Sequence, residues 1–153
     1  MVSVAGGKLA EDHAYMVETQ RHKDTEEALL DNSLSYKIIG AAIEVHRTLG
    51  GPGLRESIYE SALCHELSLQ GLRTRTQVPI DVNYKGVKIR DPLFLDILVE
   101  DKIIVEVKAT EKDNPIHQVQ LLTYLRLTGL RLGLLINFGT KHLKDGISRV
   151  ING

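Results

Sequence analysis

Two hydrophobic periods divide this chain into helices and strands. From residue 35 onward, Ile38, Ala41, Ala42, Val45 and Leu49 recur at the spacing that lines one face of an α-helix. Ser33 or Ser35 supplies a start signal, and Gly50-Gly51-Pro52-Gly53 an abrupt stop. A second helix is expected from Leu54 to Gln70, with Leu54, Ile58, Ala62 or Leu63, Leu67 and, as a further candidate, Leu69 on its apolar stripe and Gly71 as a left-handed C-terminal cap. The period then shortens to two. Arg73 to Tyr84 alternates, with Val78, Ile80 and Val82 on one face, and Tyr84-Lys85-Gly86-Val87 turns the chain. Residues 93 to 99 and 103 to 109 read as apolar, β-branched strands joined at Glu100-Asp101-Lys102. Asn114-Pro115 opens a further helix, carried by Val119, Leu122, Leu125 and Leu127 to Gly129. Leu130 to Phe138 reads as a buried strand, and residues 141 to 151 as a last short helix. A helical crossover between two strands makes them parallel, so we expect an α/β fold of order α-α-β-β-β-α-β-α, its mixed sheet flanked by helices on both faces.

Before the first periodic helix, residues 1–33 are polar and charge-dense between Glu18 and Glu27, which predicts a mobile or loosely docked extension to one domain over residues 34–153. The length of 153 residues needs no second domain and suffices to bury roughly two thirds of the unfolded surface. No apolar run approaches the roughly 18–20 residues that span a bilayer, and the N-terminal stretch lacks the pattern of a signal peptide. No membrane partner and a cytoplasmic location are therefore expected. Cys64 is the only cysteine, which excludes an internal disulfide. A net charge of −1 gives no global attraction to nucleic acid. Local basic clusters at Arg73 and Arg75, at Lys85, Lys88 and Arg90, and at Lys141, Lys144 and Arg149 fit either a basic rim or a solvated surface of mixed charge.

The chemistry concentrates in the hairpin. Asp96, Glu106 and Lys108 interrupt strands that otherwise read as buried, and an unpaired carboxylate in such surroundings costs several kcal/mol. Strand alternation sets Glu106 and Lys108 on one face. A three-residue loop at 100–102 would place Asp96 opposite Glu106, within cross-strand contact distance. Like charges that close repel unless a divalent cation lies between them, and hard oxygen ligands suit Mg²⁺ or Mn²⁺. The plainer reading is a surface hairpin with an ordinary ion pair worth under about 1 kcal/mol.

Asp96, nine residues, then Glu106-Val107-Lys108 resembles the core motif of PD-(D/E)XK phosphodiesterases, with Leu95 standing where that motif has proline. Gly53-Leu54-Arg55-Glu56-Ser57-Ile58-Tyr59 fits the GxxExxY signature of a family of small proteins assigned to that superfamily, and Gln120-Leu121-Leu122-Thr123-Tyr124 is similar to the Gln–Tyr helix motif of RecB-like nucleases. The resemblance covers about residues 34 to 152 and implies a restriction-endonuclease-like core. It further implies a metal-dependent nuclease in which Asp96, Glu106, Glu56 and the carbonyl of Val107 hold Mg²⁺ or Mn²⁺. Lys108 would position the nucleophile and offset developing charge, and Gln120 would bond a water or a phosphate oxygen. Tyr124, Tyr59 and Lys141 are the expected nucleic-acid contacts, with DNA the expected substrate and a homodimer the expected way to address two strands. Glu44 and His46 compete with Glu56 as ligands, and His117 and Gln118 lie near enough to contribute. The rival reading from another class is a catalytically silent module that keeps the fold and binds nucleic acid or protein.

Overall fold

A computed structural model describes the backbone from Ser3 to Gly153 and the side chains from Gln20 onward, those of residues 22, 24 and 27 excepted. The chain divides into two compact units, the first ending at Leu34 and the second running from Ser35 to Gly153. Most of the expected 1–33 extension therefore lies outside the described side chains. Its backbone from Ser3 is helical and belongs to α1 (Ser3–Thr48), so the first periodic helix does not begin at Ser33 or Ser35. Ser35 is fully buried inside it. The Glu, Lys, Gln and Arg residues upstream are good helix formers even without an apolar stripe.

In the second unit, α1 is followed by α2 (Glu56–Leu69), β1 (Thr74–Ile80), a short hairpin of β2 (Asn83–Tyr84) and β3 (Val87–Lys88), β4 (Leu93–Val99), β5 (Ile103–Lys108), α3 (Ile116–Thr128), β6 (Leu132–Asn137) and β7 (Ile147–Ile151). The main sheet is mixed, in the order β1-β4-β5-β6-β7, with β5 and β6 parallel and the other neighbours antiparallel. Both hairpin turns need left-handed backbone, at Lys85 and Gly86 (φ 48° and 80°) and at Glu100 and Asp101 (φ 53° and 54°). In the second, the Val99 carbonyl accepts from Lys102 N at 3.0 Å, so the loop length read from the sequence holds.

Helices cover both sides of the sheet. On one, Leu121 and Leu125 of α3 pack with Leu98, Ile104 and Leu135, and Gly133 lets the helix approach: a Cβ there would lie 2.8 Å from Leu121 Cδ1. Ile103, Val105 and Val107 point the other way and are fully buried, and α2 packs against β1, β4 and β5. The expected C-terminal helix is instead a 3₁₀ turn (Leu143–Gly146) and strand β7. All six residues of β6 are buried, so its outer edge needs hydrogen-bond partners that a helix cannot supply, and β7 provides them.

Candidate active site

The β1–β4 ladder skips one residue on each strand. Thr76 pairs with Ile97 and Val78 with Leu95, while Gln77 and Asp96 between them form no pair and Gln77 takes φ 49°. Leu95 and Leu98, three residues apart, consequently share one core cluster, which unbroken period-2 alternation forbids. The distortion frees Asp96 to bond sideways. Its carboxylate Oδ2 accepts the main-chain N–H of Val107 at 2.9 Å, and its own N–H donates to Glu106 Oε1 at 3.2 Å. The regular β4–β5 pairing stops at Ile97–Val105, so side chains complete the ladder where the two acids meet.

Glu106 is 5% exposed. Burial first, then the charge of Asp96 and a side-chain hydrogen bond with it, push its pKa up to about 9, against smaller opposing pulls from the Asp96 main-chain N–H and from Lys108. Such a group holds a proton at neutral pH and is stabilised as an anion only by a cation. On the α2 side, Gln77 Nε2 donates to Glu60 Oε1 at 3.2 Å and reaches Asp96 Oδ1 at 3.5 Å, linking the two carboxyl groups through one amide. Burial raises the Glu60 pKa, which the Gln77 bond opposes and the charges of Asp96 and Glu56 reinforce. Tyr124 of α3 is nearly buried, and desolvation followed by the charges of Glu106 and Asp96 raises its phenol pKa, so the hydroxyl keeps its proton beside them.

Lys108 ends β5 and is half-buried. It lines a cavity of about 190 Å³ with His117, Gln118, Asn137 and Ser148. Asn137 braces that cavity. Its Oδ1 accepts from Thr110 N (3.0 Å) and Gly139 N (2.9 Å), and its Nδ2 donates to Thr110 O (3.0 Å) and Asp113 Oδ1 (3.0 Å), locking the loops after β5 and β6 together.

Of the residues expected from the sequence, Asp96, Glu106, Val107, Lys108 and Tyr124 converge. Glu56 is an exposed first residue of α2, and Glu60, one turn further, is the α2 acid linked to Asp96. Gln120 is exposed, while Gln118 turns toward the Lys108 cavity and bonds Ser148 Oγ at 3.3 Å. Tyr59 cannot touch nucleic acid: it is fully buried, stacks on Phe138 with ring centroids 4.6 Å apart, and donates its hydroxyl to Gly51 O at 2.7 Å. Lys141 lies at a different cavity, beside His46 and Lys144. The rival ligands are otherwise engaged, Glu44 with Arg47 at 2.7 Å and His46 Nε2 with Thr140 O at 2.9 Å. Gln77, Glu60 and Asn137 escaped sequence reasoning, since only the positive φ and long-range pairing give them roles.

Among the described residues, no three of His, Cys, Asp and Glu come together as a ready metal cage. Mg²⁺ nevertheless needs only one or two carboxylates and otherwise keeps its waters, so the adjoining oxygens of Asp96 and Glu106 fit such an ion. The mixed sheet, flanked by helices on both faces and carrying two acids and a lysine on neighbouring strands, is an α/β fold of the restriction-endonuclease-like kind. Consistent with this, the family model of the PD-(D/E)XK nuclease superfamily matches residues 32–150, and the chain belongs to that superfamily. No curated protein and no solved structure matches it. Members of the superfamily are usually nucleases and generally use divalent metal ions.

Proposed function

We propose that this protein is a nuclease of the GxxExxY type that hydrolyses phosphodiester bonds of DNA with Mg²⁺ or Mn²⁺. The observation that carries the reading is the meeting of Asp96 with buried Glu106, two residues before Lys108. Asp96, Glu106 and the main-chain carbonyl of Val107 would hold the ion, with Glu60 as the α2 carboxylate in place of Glu56. When bound, a divalent ion polarises the phosphate and makes water a stronger nucleophile. To hold such an ion Glu106 would have to give up its proton, so that both acids could serve as anionic donors. Lys108 would offset the charge that grows on the phosphate oxygens, with the Tyr124 phenol, kept protonated by burial and the charges of the same acids, close by. In the overall reaction, the oxygen of water bonds to phosphorus, the bond to the leaving sugar oxygen breaks, and that oxygen takes up a proton.

The test is cleavage of DNA and RNA by purified protein with Mg²⁺ or Mn²⁺, beside Asp96→Ala and Lys108→Ala. Loss of cleavage in both variants supports the reading, and equal cleavage by all three contradicts it. A second reading, a silent binding module, draws on the absence of a three-ligand cage among the described residues. Under it, Mn²⁺ binding would not depend on Asp96 and Glu106.

A further inference from the structure

Three basic clusters mark the sequence, and the structure treats them differently. Arg73 pairs with Glu100 at 3.1 Å, Arg75 with Asp101 at 2.8 Å, and Lys88 with Asp81 at 3.3 Å. Those charges are matched at the surface by neighbouring acids. Lys141 and Lys144 are placed otherwise. With His46, Arg47 and His142 they line an open cleft of about 590 Å³ whose described lining includes no acidic residue. Arg47 is already held by Glu44, so the two lysines are what make the cleft positive.

The cleft is built rather than incidental. Thr140 O accepts from His46 Nε2 at 2.9 Å, which ties the lysine-bearing loop to α1 from within a nearly buried imidazole. The Thr140 hydroxyl donates to Asn137 O at 3.0 Å, and Gly146 packs so tightly that a Cβ there would lie 2.8 Å from Thr140 Oγ1. The same loop faces two ways: Asn137 and Gly146 line the Lys108 cavity, whereas Lys141 and Lys144 line the cleft. The Lys108 cavity and the lysine cleft therefore share this one loop as a wall.

Resting on the nuclease reading, we propose that this cleft binds backbone phosphates of the nucleic-acid strand that flank the scissile bond. It is a phosphate track separate from the acid pair, and it supplies affinity without base readout.

The test measures binding of a fluorescein-labelled DNA duplex of 20 base pairs by anisotropy in EDTA, so that no turnover occurs, across a series of salt concentrations. Lys141→Gln/Lys144→Gln is expected to weaken binding about ten-fold at 0.1 M salt and to flatten the log–log salt slope by about 1.8, or roughly 0.9 for each phosphate no longer neutralised. The control Lys85→Gln/Lys88→Gln, on the β2–β3 hairpin, should leave both unchanged. Unaltered affinity and slope in the first variant would overturn the track, as would an equal loss in the control. Inorganic phosphate that binds the wild-type cleft while duplex binding stays indifferent to Lys141 and Lys144 would also overturn it, as a small-anion site only. Cleavage with Mn²⁺ is read on the same preparations. Absent cleavage with the slope change intact would fail the nuclease reading and leave the track standing; cleavage without the slope change would do the reverse.

Discussion

At Glu106 a buried acid is kept neutral by its surroundings, and this sets two pH dependences of opposite direction. The folded protein holds that proton up to about pH 9, while an unfolded chain releases it near the ordinary carboxylate value of 4.5. The folded state therefore binds more protons between those limits. Its stability from this group is complete below pH 4.5 and is lost as pH rises toward 9, with a slope approaching about 1.4 kcal/mol per pH unit. Melting of metal-free protein from pH 5 to 9 should show this decline, and Glu106→Gln should abolish it. Mn²⁺ affinity should run the other way, rising up to about ten-fold per pH unit as the proton becomes easier to displace. Gln77 is a second residue whose effect separates from stability. Gln77→Gly keeps the left-handed backbone at φ 49° but removes the amide between Glu60 and Asp96. Cleavage should fall by about ten-fold while the melting temperature stays or rises, since relief of the left-handed strain offsets the lost bond; a parallel fall of both would assign Gln77 to packing alone.

At the scale of elements, the sheet carries the site because α3 packs on β6 and β7 and shares one core cluster with β4 and β5. Leu121 is fully buried there, against the face that also presents Leu98 and Ile104. Leu121→Ala should cost about 2–5 kcal/mol, read by denaturant unfolding. Gly133→Ala pushes a methyl group against Leu121 and should cost about 1–3 kcal/mol. Much of this level was legible in the sequence. The α3 limits at Pro115 and Gly129 are chain-local signals, a fixed φ before the helix and a left-handed residue (φ 73°) after it. Charges inside apolar strands likewise announced Asp96, Glu106 and Lys108. Illegible were features set by distant partners. β7 forms because β6 leaves an edge unsatisfied, and Gln77 matters because two strands bulge together at one level. Glu60 and Glu56 sit one turn apart on α2, and only the position of Gln77 across the sheet selects the former. Tyr59 belongs to a recognisable motif, but Phe138, far along the chain, decides that the ring is buried.

For the whole molecule, among the described residues no helix is long and apolar enough to cross a membrane, and Lys141 and Lys144 line a cleft whose described lining includes no acid. Under the proposed function, metal binding and folding would be linked through the acid pair. Saturation to 100 times Kd should stabilise the protein by about 2.7 kcal/mol, visible as a higher melting temperature in wild type and not in Asp96→Asn. Whether these two acids, joined across an interrupted ladder, form a cation site is tested most directly by calorimetric titration with Mn²⁺ at pH 7 in two buffers of different ionisation enthalpy. Binding accompanied by release of about one proton, and lost in both Asp96→Asn and Glu106→Gln, is the predicted result. Binding of equal strength in all three proteins, or none in the wild type, would contradict it.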